Sequence, residues 1–485
     1  MAAKINKVTI RLYRAGTGDC FLLKFRSGNT VKCKMLIDCG CILGGRDDFE
    51  PWLQDIDTET GGKIDILVVT HEHADHINGF KACSDLFKKF TFKKVWFAWT
   101  EDETDTHAND LRQHHSKISM ALQAATTKLN RLMKDKYYAS LFKDEVNSEL
   151  MVKGQEDFIK SVVGLNTLNV EKKLGASGKI PSMTRIFKDL GIIKTNTTVE
   201  YFNPGDLIKN IQELPGMQIF VLGPPRDVNM LDLESRKGEN FDKREKPSTK
   251  DSAFAAAVLK SSNGFDFLAF DSQYEAQQDK HDAKDAYDNK DDKWRTIDHD
   301  WLYSTGSMAL RFEGSINNTS LALAFQFLGS ERILLFPGDA ETGNWLSWHE
   351  GLEWNIKIAG KNKKVNAEYL LNNTVFYKIG HHCSQNGTAS RLGISLMKSD
   401  DLTAMAPLNF KKIQPVWHNT MPNDILCATL IEKTKGKFYF SGDRNELMRN
   451  IKTPRVTIKK THEETLNKLN KKFDGQIFVE CDVTG

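Results

Sequence analysis

The 485-residue sequence contains no long hydrophobic run: no stretch of about 18 apolar residues occurs anywhere in it. Its first residues, MAAKINKVTI, include no apolar segment of signal-peptide length. Neither a membrane-spanning helix nor a secretory leader is therefore expected. We predict a cytoplasmic protein with no membrane partner.

Two further scarcities narrow the class of protein. Eight cysteines are too few for a disulfide scaffold, and none of them forms a C-x-x-C pair, which argues against a cysteine zinc knuckle. The sequence also has no large excess of charge of one sign, because 67 Lys and Arg are balanced by 64 Asp and Glu and the net charge is +3. A nucleic-acid coat protein or a polybasic membrane protein would have a larger excess of positive charge. Nucleic acid stays open as a substrate, because local basic patches are compatible with a small net charge.

Short apolar runs separated by polar turns predict a layered α/β core. The run Ile64–Val69 is continuous and rich in β-branched residues, which is typical of a strand buried on both faces. We place the first half of the core in residues 1–100 and a mainly helical insertion in 101–200. The second half occupies residues 201–485 and includes a charged loop insertion around 226–310.

The strongest chemical signal directly follows this strand, in the segment His71-Glu72-His73-Ala74-Asp75-His76. His71 and His73 are two residues apart at a strand end, so both can face one point. Asp75 and His76, in the turn that enters a helix, can face a second point nearby. Imidazole and carboxylate are the ligands that suit zinc, manganese or iron when water occupies an open coordination position. The segment therefore predicts a metal site.

Later strands also end in residues that can bind metals. The strand at 332–336 is followed by Gly338 and Asp339, and the strand at 374–379 by His381 and His382. Strand ends at one edge of a sheet converge on a single crevice, so we expect these groups to meet the earlier segment. Asp271 and Asp443 also follow apolar strands and are alternatives to Asp339.

These motifs resemble the metallo-β-lactamase superfamily, whose H-x-H-x-D-H motif matches HEHADH. The stretch Leu36-Ile37-Asp38-Cys39-Gly40, the later Gly-Asp pair and the late histidines fit the same family. Within it, the chain is most similar to the metallo-hydrolase domain of the bacterial DNA-uptake competence channel. That group has a Gly-x-Gly-Asp turn, here 16–19, and an Asn-x-x-Ser-Leu segment, here 317–321. The resemblance implies a four-layer αββα sandwich with its metals at one edge.

The resemblance also implies how the metal ligands are divided. His71 and His73 would bind the first metal, and Asp75 and His76 the second. Asp339 would bridge the two, because the bridging aspartate of the superfamily precedes the His-His segment. Two divalent ions, zinc or manganese, are the implied cofactors.

Other residues take their expected roles from the same resemblance. One of His381 and His382 would complete the second metal site, and the other would lie near the substrate. Asp38 would orient the ligand histidines through hydrogen bonds. Asp75 and His382 are expected at the reacting centre. His418 matches a family position beside the late loop, where it would either contact the substrate or pack against the loop.

The sequence departs from the superfamily at two places. The segment 220–225, which usually supplies a further histidine to the first metal, has none. We therefore expect weaker binding at the first site and activity that favours Mn²⁺. Cys383 stands where the family has glycine after the two histidines.

The implied reaction is hydrolysis by a hydroxide shared between two metals. The resemblance favours a phosphodiester in DNA or RNA, followed by a cyclic or other small phosphodiester. Lactam or lactone hydrolysis comes last, because those members are usually much shorter. The alternative from another class is a partner-dependent effector subunit that docks a protein through the 101–200 insertion.

Overall fold

Two seven-stranded β-sheets organise the chain in the computed structural model. The structure describes residues 3–14, 16–42, 44–118, 181–241, 312–358, 360–409, 421–451 and 455–485. The chain divides into two compact units, of which the first comprises residues 1–112, 174–245 and 314–485, and the second residues 113–173 and 246–313. Both sheets lie in the first unit.

The first sheet is mixed. Its strands are β1 (Lys7–Tyr13), β2 (Phe21–Ser27), β3 (Thr30–Ile37), β4 (Lys63–Val68), β5 (Thr91–Ala98), β6 (Thr198–Phe202) and β16 (Phe478–Thr484). Their order across the sheet is β16-β1-β2-β3-β4-β5-β6. Strands β3 to β6 run parallel to one another, so their carboxyl ends share one edge.

The second sheet repeats this arrangement. Its strands are β7 (Leu207–Ile208), β8 (Met217–Gly223), β9 (Ala322–Phe327), β10 (Ile333–Phe336), β13 (Thr374–Lys378), β14 (Thr403–Ala406) and β15 (Phe438–Phe440). Their order is β15-β14-β13-β10-β9-β8-β7, and β10, β13, β14 and β15 are parallel. A separate hairpin joins β11 (Glu353–Ile358) to β12 (Lys361–Asn366).

The two sheets pack face to face through one hydrophobic core. Phe21 of β2 meets Phe336 of β10 edge-on, with ring centroids 5.9 Å apart. Phe25 of β2 meets Phe325 of β9 at 6.0 Å. Because neighbouring side chains on a strand point to opposite faces, each sheet has a second face that helices must cover.

The described chain has ten short α-helices besides the helical residues 106–118 and 312–317. They are α1 (Arg46–Thr60), α2 (Ala74–Ala82), α3 (Ser84–Phe87), α4 (Met183–Asp189), α5 (Val228–Leu231), α6 (Thr342–Ser347), α7 (Ala367–Asn372), α8 (Asp424–Lys433), α9 (Arg444–Asn450) and α10 (Lys460–Lys471). Trp52 of α1 stacks on Tyr13 of β1 at 5.8 Å, and Trp345 of α6 packs edge-on against Tyr377 of β13 at 6.0 Å. Helices therefore cover the outer faces, and the predicted αββα layer order is confirmed.

Most of the predicted insertions, including 119–180 and 242–311, lies outside the described residues. Residues 106–118 are helical, as expected for part of the mainly helical insertion predicted at 101–200. In the second unit His115 is buried and packs edge-on against Phe312, with ring centroids 5.7 Å apart. The boundaries 101–200 and 226–310 stay predictions. Among the described helices, none is long and apolar enough to cross a bilayer.

Candidate metal centre

The carboxyl ends of parallel strands from both sheets bring the candidate ligands together. Asp38 follows β3, and His71 follows β4. From the second sheet, Asp339 follows β10 and His382 follows β13, and these two strands are hydrogen-bonded neighbours. All four side chains are buried. The site therefore depends on strand order as much as on local sequence.

One set of ligand atoms surrounds a single carboxylate oxygen. The Nε2 atoms of His76 and His382 each lie 3.1 Å from Asp339 Oδ2. Asp75 joins them through Oδ2, which lies 2.9 Å from His382 Nε2. Asp19 lies beside this set, since ligand atoms of Asp19, His76, Asp339 and His382 all fall within 4.8 Å of one another. These buried acid and imidazole groups suit a metal ion.

A second pair of nitrogens lies beside this set. His71 Nε2 and His73 Nδ1 are 3.1 Å apart. Zinc–nitrogen bonds of about 2.0–2.1 Å at tetrahedral angles place two ligand nitrogens about 3.3 Å apart, so this spacing fits one shared cation. The segment 220–225, which contains no histidine, includes the end of β8, where Gly223 packs closely against the Asn344 side chain.

Hydrogen bonds from Asp38 fix the orientation of two ligand histidines. Asp38 Oδ2 accepts from His76 Nδ1 at 2.7 Å and from Thr70 Oγ1 at 2.6 Å. Because the Thr70 hydroxyl donates to Asp38, it accepts from His71 Nδ1, 3.1 Å away. Both histidines thus carry a proton on Nδ1, so Nε2 is the nitrogen that each can offer to a metal. Asp38 contacts His76 directly and reaches His71 through Thr70.

The two late histidines occupy different surroundings. His382 Nδ1 donates to the Pro407 carbonyl at 2.9 Å, which directs its Nε2 to Asp339 and Asp75. The ring of His381 instead lies 2.9 Å from Glu341 Oε1 and 2.8 Å from Ser384 Oγ. The structure therefore brings His382, and not the ring of His381, to the other candidate ligands.

Several buried atoms at this centre have no hydrogen-bond partner among the residues that the structure describes. They include the carboxylate oxygens Asp19 Oδ1 and Asp75 Oδ1. A buried polar atom left without a partner costs about 1–3 kcal/mol, so such a group at one site requires a reason. Nitrogen and carboxylate donors of this kind fit zinc or manganese.

Electrostatic effects divide the four histidines into two pairs. Burial disfavours protonation of His76 and His382, but nearby carboxylates, chiefly Asp339, outweigh it. They raise the pKa of His382 to about 9 and that of His76 well above its usual value. Burial and neighbouring imidazoles lower the pKa of His71 and bring that of His73 to about 4. At neutral pH a metal must therefore displace protons from His76 and His382, but not from His71 and His73.

The backbone of the ligand segment is hydrogen-bonded to Asp19 and Cys39 and packs against Gly40. Asp75 and His76 lie in the first turn of α2, where the Asp75 carbonyl accepts from Asp19 N at 3.0 Å and the His76 carbonyl from Cys39 N at 2.8 Å. A Cβ on Gly40 would come within 2.3 Å of the Asp75 carbonyl carbon. Only glycine allows this approach, which explains the glycine after the Asp38-Cys39 pair.

The loop after β13 has an unusual backbone. His381, His382 and Cys383 have φ angles of 38°, 48° and 65°, in the left-handed region that favours glycine. Each such residue costs roughly 1–2 kcal/mol, so surrounding contacts must impose the conformation. His381 N donates to Asp339 Oδ1 at 3.2 Å, and the Cys383 carbonyl accepts from Asn423 N at 2.7 Å. Cys383 therefore adopts a backbone conformation that glycine would adopt more readily.

The remaining candidates are separated from this centre or lie outside the described residues. Asp443 is exposed, and its Oδ1 accepts from Glu446 N at 3.1 Å in the first turn of α9. His418 and Asp271 fall in segments that the structure does not describe. Sequence reasoning missed Lys378, whose only local signal is a charged residue at the end of an otherwise apolar strand.

No protein-family model and no curated protein matches the chain. Among solved structures, unliganded yeast PDE1 is similar at 10% sequence identity and a TM-score of 0.31, covering 90% of this chain and 98% of that chain. A likeness at this TM-score supports no conclusion about function. The buried ligand geometry alone identifies this edge of the sandwich as a candidate metal centre.

Proposed function

We propose that the protein is a metal-dependent phosphodiesterase that cleaves DNA or RNA. The observation that carries this proposal is a buried ligand set around Asp339, with the His71–His73 pair beside it, at the carboxyl ends of strands from both sheets. The motif resemblance supplies the reaction class, and the donor chemistry supports it. An oxygen- and nitrogen-rich site of this kind suits cations that activate water and bind phosphoryl oxygens.

We assign His71 and His73 to a first cation, and Asp75, His76 and His382 to a second. Two divalent cations, when bound, lower the pKa of coordinated water and stabilise the charge that develops on a phosphoryl group. Asp339 would supply the carboxylate shared by both cations, as the motif resemblance implies. Hydrogen bonds hold the histidines in place before a cation arrives, so little reorganisation is needed at that step.

We assign His381 to the substrate side of the centre. Its ring is tied to Glu341 and Ser384, and its backbone N–H donates to Asp339 Oδ1. The backbone of His381 thus contacts Asp339, which is a candidate ligand, while its ring contacts Glu341 and Ser384, which are not in the ligand set. The role of His418 as a substrate contact stays a prediction from the motif.

We propose that the β11–β12 hairpin contacts the backbone of a polynucleotide substrate. Within residues 353–366 it carries four lysines and a single acid, Glu353, which pairs with Lys364. Lys357 and Lys361 are exposed. Phosphate backbones bind such lysines through charge, so we expect reversal of Lys357 and Lys361 to glutamate to raise KM for a polynucleotide and not for bis-p-nitrophenyl phosphate.

A metal-reconstitution assay tests the proposal. Protein stripped with chelator is reloaded with Mn²⁺ or Zn²⁺ and incubated with single-stranded DNA, duplex DNA, RNA and a cyclic dinucleotide. We expect cleavage of a polynucleotide that His73→Ala abolishes and His462→Ala retains, because His462 lies in α10 against Glu432. If only the cyclic dinucleotide were cleaved, the proposed substrate would change from a polynucleotide to a small phosphodiester. Absence of any hydrolysis by metal-loaded protein would favour the effector-subunit alternative.

A further inference from the structure

A buried lysine lies behind the candidate ligands. Lys378 is 1% exposed, and its Nζ lies 2.6 Å from Asp19 Oδ2, 2.8 Å from Asp339 Oδ1 and 2.7 Å from the Gly338 carbonyl. As the residue two after Phe376, it shares the face of β13 that points between the sheets. An ammonium has three hydrogens, and these three acceptors use all of them. Lys378 therefore has no donor left for a substrate.

The two oxygens of Asp339 are divided between protein and ligand cluster. Oδ1 accepts from Lys378 Nζ and from His381 N, while Oδ2 lies 3.1 Å from the Nε2 atoms of His76 and His382. We propose that Asp19 and Lys378 form a positioning pair that fixes this division, so that Asp339 presents Oδ2 to the metal. The inference rests on the metal-dependent function proposed above.

Asp19 gives the pair its link to the ligand turn. Its side chain is 1% exposed and accepts from Lys378, while its backbone N–H donates to the Asp75 carbonyl at 3.0 Å. One residue thus connects the lysine to the segment that carries the other acidic ligand. Without Asp19 the ammonium would be balanced by Asp339 alone, and it would compete with a cation for that carboxylate.

Charge and positioning make opposite predictions for Lys378→Met. If charge alone mattered, removing a cation beside a metal site would tighten metal binding. If Lys378 positions Asp339, the freed carboxylate can rotate, and metal binding weakens in spite of the more favourable charge. Loss of a group that orients a metal ligand typically costs about 10- to 100-fold in metal affinity, and we expect a change of that size.

The test compares Co²⁺ binding by the wild type, Lys378→Met, Asp19→Asn and the double variant. Affinity is measured by competition with a chelating dye, and the visible spectrum of bound Co²⁺ reports its coordination. We expect each single variant to bind about 10- to 100-fold more weakly with an altered spectrum. The double variant should be no weaker than the weaker single one, because the two residues act as a unit. Asp19→Asn keeps the shape of the side chain but removes the negative charge that balances Lys378.

Lys24→Met is the matched control. Lys24 is also buried, at 5% exposed, and pairs with Glu59 at 2.6 Å in the first sheet, so its loss should lower the melting temperature and leave Co²⁺ affinity unchanged. Wild-type or tighter binding by Lys378→Met would overturn the positioning pair, as would additive single effects or an equal loss in Lys24→Met. A wild type that binds no Co²⁺ would instead overturn the metal-dependent function itself.

Discussion

Replacing Asp339 with asparagine tests the ligand assignment with almost no change in side-chain shape. Asp339 Oδ2 lies 3.1 Å from both His76 Nε2 and His382 Nε2, at the centre of one ligand set. A carboxylate offsets the repulsion between two divalent cations, and a neutral amide oxygen does so far less. We therefore expect Asp339→Asn to lose one metal ion per chain.

The size of the effect follows from what a metal contributes. A metal supplies several kcal/mol of transition-state stabilisation, and each 1.4 kcal/mol or so changes a rate about tenfold. Loss of one metal thus predicts a fall in kcat of about 100- to 10,000-fold. Stability should change less, since Lys378 keeps Asp19 as a partner and the repulsion between Asp339 and Asp75 disappears. We expect a loss of at most about 3 kcal/mol in the free energy of unfolding of the metal-free protein.

The assay measures metal content by elemental analysis and hydrolysis at saturating Mn²⁺. Asp443→Asn is the control, because Asp443 also follows an apolar strand but is exposed. A surface change of this kind alters stability by about 0.5 kcal/mol or less, and activity should stay within about twofold. An active Asp339→Asn together with an inactive Asp443→Asn would refute the assignment of the shared carboxylate.

Three further outcomes follow from the same structure. The pKa of His382 is raised from 6.5 to about 9 in the metal-free fold, so its stabilising contribution is complete below pH 6.5 and is lost as the pH rises through 9. Urea titrations should therefore show the free energy of unfolding falling between these two pH values. A free energy of unfolding that does not fall would contradict this prediction. The free energy of unfolding of Cys383→Gly should stay within about 1 kcal/mol of the wild type. Cys383→Val should lower it by about 2 kcal/mol more, because a β-branched residue resists a positive φ. Equal stabilities of the two variants would argue against the left-handed loop. Arg11→Met removes a buried guanidinium that contacts three partly exposed carboxylates, of Asp55 at 2.5 Å, Glu480 at 2.7 Å and Glu59 at 3.0 Å. We expect a loss of about 1–3 kcal/mol in chemical denaturation while metal content stays unchanged. A loss well below about 1 kcal/mol would show that these contacts contribute little.

Features that depend on local sequence were predictable. The apolar run at 64–69 predicted a buried strand, and the structure has β4 at Lys63–Val68. The change to helical spacing after His76 predicted a helix there, which α2 and α3 supply. The layer order followed from the motif resemblance, and packing of the two sheets confirms it.

Features that depend on strand order were not predictable from residues alone. Asp339 and Asp443 both follow apolar strands, and local sequence does not separate them. In the structure β10 lies beside β13, which carries His382, whereas β15 is at the edge of the sheet. Neighbouring parallel strands therefore bring Asp339 to the ligand cluster and leave Asp443 outside it.

The choice between His381 and His382, and the presence of Lys378, depended on three-dimensional detail. The left-handed backbone after β13 decides which of the two rings meets Asp339, and no residue pattern encodes those φ angles when cysteine replaces glycine. Lys378 meets Asp19 across the two facing sheets, a contact between residues that are distant in sequence. Tertiary packing alone brings such pairs together.

The most direct test of the metal-dependent phosphodiesterase is the rate of bis-p-nitrophenyl phosphate hydrolysis as chelator-treated protein is titrated with Mn²⁺. The account predicts negligible hydrolysis without metal, a rate that rises and saturates as Mn²⁺ is added, and no such rise for His73→Ala. A rate that is unaffected by chelator, or metal-loaded protein that hydrolyses no phosphodiester, would contradict it.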